Sequence, residues 1–458
     1  MPGNPVTISM MTEEQLARLQ RLGVVKGVGK LKTALSRPES PPLSFEATPE
    51  NSDPTEIPAA SLETAFPGGK WVETSGGRCF VLDHVYPLAA THGTGRVGEL
   101  LAFSPADLVP YLDDERLADM QFRDFLFLDI ETNGLSGAGT FAFLVGLAFY
   151  EGEALVVRQL FLDERADEPA LLNLLDELLA DRPGLITFNG RAFDLRLLEM
   201  RYLMNRRPAD LLDRPHLDLL LPARRLWRHR FSSCALGSLE NRVLNMQRHE
   251  EDIPGAEVPR YYHAYLLERD PRYVRGIIYH NQVDMLSMTT LAAELVRRIT
   301  RPDDGDHPLE MLGLGNWQVD LGLWTAAENN LRRAAVPEMP TADYHLALHR
   351  LGWLLKRQER RREAVDIWMQ MATTSFADVR AHVELAKHYE WQEQDVYPAI
   401  AWTTQALSLV RTWSDRQQAE IKVAELQHRL DRLLRKLEAA APGAGEIGAD
   451  AEERDAAV

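Results

Sequence analysis

Cysteine occurs only twice in 458 residues, at Cys79 and Cys234. Two thiols cannot build the cross-linked framework of a small secreted domain, and their scarcity fits a reducing, cytoplasmic setting. Lysine is absent between Lys70 and Lys356, so arginine is the working cation through most of the chain. Positive charge is short overall: 51 basic residues against 68 acidic ones leave −17. That excludes a general nucleic-acid coat and confines any nucleic-acid site to a local patch. No apolar run approaches the roughly 18 residues of a membrane-spanning helix. Met1–Ser9 carries no basic stretch ahead of an apolar core, so no signal peptide is expected. What is plentiful is apolar side chain, 45% of residues, and the length suits about three ordinary domains.

The chain divides by its grammar. Residues 1–69 read as a short helix at 12–22 (Thr12 and Gln15 at capping-box spacing, then Leu16, Leu19 and Leu22) followed by a disordered linker at 37–69 rich in Pro, Ser, Thr and Glu. Residues 70–118 read as a small β-rich lead-in element. Between 119 and 300 the runs FLFLDIE (125–131), FAFLVGLAFY (141–150) and ALVVRQLFL (154–162) have strand length. A leucine-rich helix at 167–180, a strand LITFN (185–189) and further helices follow. Strands then helices in this order predict a mixed sheet flanked by helices, an α/β layered domain. From 305 to 440 the strands vanish. Leu351-Gly352, Ala364, Trp368 and Met371 repeat the spacing of Leu314-Gly315, Ala327, Leu331 and Ala334, and Leu385-Ala386, Tyr389, Ala399 and Ala406 follow with one insertion. Small residues let two helices cross closely and large ones fill the stack, as in a tetratricopeptide-like all-α repeat of about 34 residues. The boundary near 305 predicts that the preceding domain folds without the repeats. Residues 441–458 read as a disordered acidic tail.

Three segments carry chemistry-bearing side chains. Asp129 and Glu131 end an apolar strand and, at i and i+2, point the same way. Thr132-Asn133-Gly134-Leu135 continues as a turn, and Gly134 would admit close approach of a ligand. A second strand ends in Asn189-Gly190, and Asp194 lies in the first turn of the helix after it, where the dipole favours a carboxylate. In the third, Tyr279-His280-Asn281-Gln282-Val283-Asp284, His280 and Asp284 stand four apart on one helical face.

Together these segments resemble the DEDD superfamily of 3′-to-5′ exonucleases, a branch of the ribonuclease H-like fold, over about residues 120–300. The stretch CALGSLENRVLNMQRHEEDIPGAEVPRYYHAYL (234–266) looks like the bacterial ribonuclease H-like YprB branch, which also carries C-terminal helical repeats. The resemblance implies a cytoplasmic metal-dependent hydrolase that removes nucleotides from a 3′ end of DNA or RNA. It implies two divalent cations, Mg²⁺ or Mn²⁺, held by Asp129, Glu131, Asp194 and Asp284. Such a pair would clamp the attacking and leaving oxygens of a phosphodiester. Thr132, Gly134, Leu135, Asn189 and Gly190 are the implied substrate contacts, and the repeats would hold a protein partner or the distal substrate. His280 is the implied base, with one departure from the family. The branch with Tyr four residues before the last Asp and the branch with His five before are here crossed, since His280 is four before Asp284 and Tyr279 five. Two other readings stand beside this one: a catalytically weak nuclease-fold scaffold for protein–protein interaction, and a structure-specific endonuclease using the same metals.

Residues 191–230 hold ten Arg against five acidic residues. His216, Asp218, Arg224, Arg225, Trp227, Arg228 and Arg230 mix cations with an aromatic, a combination that suits a phosphate backbone as well as an ordinary arginine-rich surface.

Overall fold

The computed structural model describes residues 61–134, 139–249, 251–303, 305–374 and 378–440. The predicted helix at 12–22, most of the linker, Leu135 and the tail from 441 lie outside them. The last part of the linker reading is corrected: Leu62–Ala65 is one helical turn, and Leu62 and Phe66 are buried.

Seven strands form one sheet: β1 (Lys70–Thr74), β2 (Gly77–Pro87), β5 (Phe125–Thr132), β6 (Ala142–Glu151), β7 (Ala154–Phe161), β8 (Gly184–Thr187) and β9 (His216–Asp218), in the spatial order β1-β2-β7-β6-β5-β8-β9. The first five in that order pair antiparallel; β5–β8 and β8–β9 are parallel. A separate ribbon joins β3 (Thr91–His92) to β4 (Gly95–Arg96). The β-rich pieces near residue 70 are thus no detached element. Cys79 to Leu82 are buried, and β2 runs along β7 from Phe80↔Phe161 to Pro87↔Ala154. The edge of the sheet falls to short β1, where Lys70 and Glu73 are exposed, a charged edge that discourages further pairing.

Phe125 to Leu128 are buried without alternation, as a central strand covered on both faces requires. The cover includes α1 (Glu168–Asp181), α2 (Asp194–Met204), α3 (Leu220–Trp227), α4 (Leu236–Arg242), α5 (Val258–Glu268) and the 29-residue α6 (Arg272–Thr300). Helix α6 lies across β5, β6 and β7. Strand β9 is a finding absent from the sequence reading: three residues, His-Leu-Asp, carry too little pattern to show as a strand.

The helical half contains α7 (Pro308–Asp320), α8 (Trp324–Ala334), α9 (Thr341–Arg357), α10 (Arg361–Ala372), α11 (Arg380–Trp391), α12 (Val396–Val410) and α13 (Arg416–Ala440), each packed on its sequence neighbour. The glycines explain the close crossings. A Cβ at Gly315 would crowd Leu331, and one at Gly352 would overlap the Trp368 indole.

The first helix of this half belongs to the core of the sheet domain. Trp317 packs edge-on against Tyr111, with ring centroids 5.0 Å apart, and joins the cluster containing Leu226, Trp227 and Ile299. Glu310 is fully buried and accepts hydrogen bonds from Trp227 Nε1 (3.0 Å), Arg230 Nη1 (2.5 Å) and Arg298 Nε (2.8 Å). The expectation of a sheet domain independent of residues beyond 305 is therefore corrected. The reading of Arg225, Trp227 and Arg230 as a phosphate track is corrected too, since Trp227 and Arg230 serve Glu310 and Arg225 pairs with Asp320 at 2.9 Å.

Candidate active site

The carboxyl ends of parallel strands β5 and β8 lie side by side, the edge at which open α/β sheets hold their ligands. Asp129 and Glu131 project from β5 at this end. Asp194 starts α2, where it accepts a hydrogen bond from the backbone N–H of Ile130. Asp284 and His280 come from α6. The structure brings all five to one place. His280 Nε2 lies 3.5 Å from Asp284 Oδ2 and 3.9 Å from Glu131 Oε1. One donor atom each from Glu131, His280 and Asp284 fits within a mutual distance of 4.8 Å. The sequence reading gave His280 no metal-ligand role, and the geometry adds its ring nitrogen to the candidate donor set.

Electrostatics show the cost of this convergence. Burial, followed by the charges of Asp284, Asp194 and Glu131, holds Asp129 well above the ordinary carboxylate range. Burial and the charges of Asp284 and Asp194 do the same to Glu131. Asp194 is pushed up to about 6, chiefly by burial, against the pull of backbone N–H groups. Burial also raises Asp284, while Arg248 and His280 pull it down. Like charges gathered out of water need a cation, and hard oxygen donors suit magnesium or manganese. The residues present fit such ions.

Several supporting residues carried no signal in the sequence. Asn281, fully buried, donates from Nδ2 to Asp129 Oδ2 (3.2 Å) and accepts at Oδ1 from Gln159 Nε2 (3.0 Å). Gly146 stands opposite Asp129 in the sheet, and a Cβ there would overlap the Asn281 amide. Arg248 grips buried Glu240 with two parallel bonds, Nε to Oε2 (2.8 Å) and Nη2 to Oε1 (2.6 Å), and also binds Asp284 through Nη2. Its Nη1 lies 3.1 Å from His280 Nδ1, while Asp252 Oδ1 lies 2.7 Å from the same nitrogen. Glu240, Arg248 and Asp252 fall inside the stretch 234–266, but no spacing rule assigns them a role there. Tyr279 faces elsewhere, its hydroxyl accepting from the His249 N–H (3.2 Å).

The other expected contacts divide. The Thr132 hydroxyl donates to Gly134 O (2.8 Å) and braces the turn. Asn189 takes a left-handed conformation (φ 66°), and its N–H donates to Asp218 Oδ1 (2.7 Å). Gly190 is buried against Thr187, where a Cβ would clash. Its smallness therefore serves packing behind the loop. Asp218 and His216, read in the sequence as part of a basic surface, are buried: Asp218 also accepts from Arg191 N (3.2 Å), and His216 Nε2 meets Thr187 Oγ1 at 2.8 Å. They hold the loop that delivers Asp194.

Residues 126–296 match the model of the RNase_H superfamily, from the second residue of β5 nearly to the end of α6. This domain is ribonuclease H-like. The chain is also similar to the uncharacterized protein YprB of Bacillus subtilis (strain 168), with 29% identity over 371 residues, 78% of this chain and 86% of that protein. The aligned length exceeds the ribonuclease H-like domain, so the likeness reaches beyond it. Among the described residues no helix is long and apolar enough to cross a membrane.

Proposed function

We propose that the chain is a metal-dependent 3′-to-5′ exonuclease acting on single-stranded DNA or RNA. The observation that carries this reading is the meeting of Asp129, Glu131, Asp194, His280 and Asp284 at one strand edge, with carboxyl groups held above their ordinary range. Asp129, Glu131, Asp194 and Asp284 would hold two divalent cations, Mg²⁺ or Mn²⁺, and His280 Nε2 is available either as a further ligand or as the acceptor of a proton from water. When bound, the ions supply charge neutralisation and Lewis acidity at the phosphodiester. Asn281 aims Asp129. Asp252 holds Nδ1 of His280, leaving Nε2 with a lone pair for that proton. Thr132, Gly134, Leu135 and Asn189 would contact the terminal nucleotide. The helical hairpins from α7 onward would act as a tetratricopeptide-like array binding a partner protein or the distal strand, in the cytoplasm.

The test is incubation of the purified chain with end-labelled single-stranded DNA and RNA, with Mg²⁺ or Mn²⁺, and with either end blocked in turn. Stepwise shortening that a 3′ block stops, and a 5′ block does not, supports the reading. Cleavage of a circular strand would replace it with an endonuclease.

A further inference from the structure

Helix α2 has two apolar faces. Leu195, Leu198 and Tyr202 are buried beneath it. On the opposite side Phe193 is 66% exposed, Leu203 65% and Met204 53%, with Met200 also exposed. Counted from Phe193, these residues and Arg196 fall at i, i+3, i+7, i+10 and i+11, a single stripe on a helix. Arginine accompanies it. Arg201, Arg207 and Arg214 in this stretch are tied to Glu168, Asp176 and Asp210. Arg191, Arg196 and Arg206 are exposed, and their side chains make no hydrogen bond or ion pair among the described residues; Asp114 is the acid that feels Arg191. Glu199, the acid within the helix, is engaged by the Leu212 N–H (2.9 Å). The stripe starts beside Asp194, so it is continuous with the carboxylate cluster, and 11 residues of helix span about 16 Å.

We propose that this outer face of α2 binds the single strand whose terminal phosphodiester reaches Asp194. This rests on the nuclease reading above and adds the route of the substrate. Bases would lie on Phe193, Met200, Leu203 and Met204, and phosphates would meet Arg191, Arg196 and Arg206. Exposed apolar side chains interleaved with unengaged guanidinium groups suit unpaired bases, which offer an apolar face and an anionic backbone together. A duplex hides those base faces. A protein partner would leave the three arginines to be matched separately, and nothing else in this chain, at −17 overall, attracts a polyanion to the mouth of an acidic site.

The experiment uses the full chain. Binding of a labelled 20-nucleotide strand is followed by fluorescence anisotropy at several salt concentrations in an Asp129→Asn background. Hydrolysis of the same strand and of a dinucleotide is compared in the otherwise wild-type chain. The Met200→Ser/Leu203→Ser variant should weaken strand binding about tenfold, within the range for lost base stacking. Arg206→Glu, a surface change that should not disturb folding, should lower the salt slope by about 1. Both should reduce the preference for the long strand over the dinucleotide. Unaltered affinity and preference in both variants overturn the route, as does a wild-type dimer that these variants split, since a second copy would then own the face. Failure of the wild-type chain to hydrolyse even the dinucleotide with metal, while the strand still binds through α2, would sink the nuclease reading and leave the surface standing.

Discussion

Asp252 Oδ1 lies 2.7 Å from Nδ1 of His280, and Arg248 Nη1 lies 3.1 Å from that same nitrogen. The two contacts exclude each other as hydrogen bonds. A carboxylate requires Nδ1 to carry a proton; a guanidinium requires it to carry a lone pair. With Asp252 engaged, Nε2 turns its own lone pair toward Glu131 and Asp284. With Arg248 engaged, Nε2 carries the proton and can only donate to them.

The first prediction concerns this choice. His280→Ala should lower turnover by about 10²–10⁴, the range for a lost general base. Asp252→Asn should lower kcat by a smaller factor with little change in KM, because the ring keeps its place but loses its preferred tautomer. Tyr279→Phe should be nearly silent, as that hydroxyl serves the His249 amide. Steady-state kinetics at saturating metal decide it; a silent His280→Ala beside a crippled Tyr279→Phe would reverse the assignment.

Arg248 places a guanidinium on Asp284, and a divalent ion at that carboxylate must compete with it. Arg248→Ala should therefore tighten Mn²⁺ binding in titration calorimetry, on the order of tenfold from the loss of one charge-assisted contact. The metal-free variant should also be less stable, because Glu240 stays buried without its partner. Unchanged Mn²⁺ affinity would show that the guanidinium and the ion do not share Asp284.

A third prediction follows from the raised carboxyl groups. An acid whose folded pKa exceeds its unfolded value of about 3.9 binds its proton more tightly in the fold. The resulting stability is fully present below the unfolded value and is lost as pH rises through the folded one, near 6 for Asp194 and higher for Asp129. Without metal, Asp129→Asn should melt above wild type at pH 8, by about 2–4 °C for each kcal/mol of repulsion relieved, and the gap should close toward pH 4. Mn²⁺ should raise the wild-type melting point at pH 8 and leave the variant nearly unmoved. Thermal scans across pH measure both; a gap constant with pH would mean that repulsion is not its source.

Glu310 offers a test away from the site. Removing one side of a buried ionic cluster costs about 3–5 kcal/mol. Glu310→Ala should therefore destabilise the sheet domain and the helical half together, with Arg230 and Arg298 left uncompensated. Deleting residues 305–458 should give insoluble protein, since Trp227 would lose Trp317 and Glu310 at once. A truncated chain that stays soluble and melts cooperatively would count against this shared core.

The candidate site was legible in proportion to how far its chemistry is local. Asp129 and Glu131 show themselves by alternation at the end of a buried strand, and His280 and Asp284 by a helical interval of four. Asp194 stands out at the start of a helix. The small-residue spacing of Gly315 and Gly352 likewise announces close helix crossings. What stayed hidden depends on tertiary contact. Asn281, Gln159 and Asp252 are ordinary polar residues until the fold places them 3 Å from a partner many residues away. Trp227 and Arg230 misled because an arginine beside a tryptophan looks the same whether it faces phosphate or a buried Glu310. Strand β9 was too short to carry a period.

Gly146 shows where this dependence leads. It has no functional group, yet any side chain there would displace the Asn281 amide that steadies Asp129. In a saturation library selected for activity, position 146 would tolerate as little change as the acidic positions, and Gln159 and Asn281 would stand with it. A ranking by mutational intolerance would then mark a site wider than its reactive atoms. An engineer wishing to move Asp129 by a few tenths of an ångström would have a handle on the far strand, in a residue that itself touches no substrate.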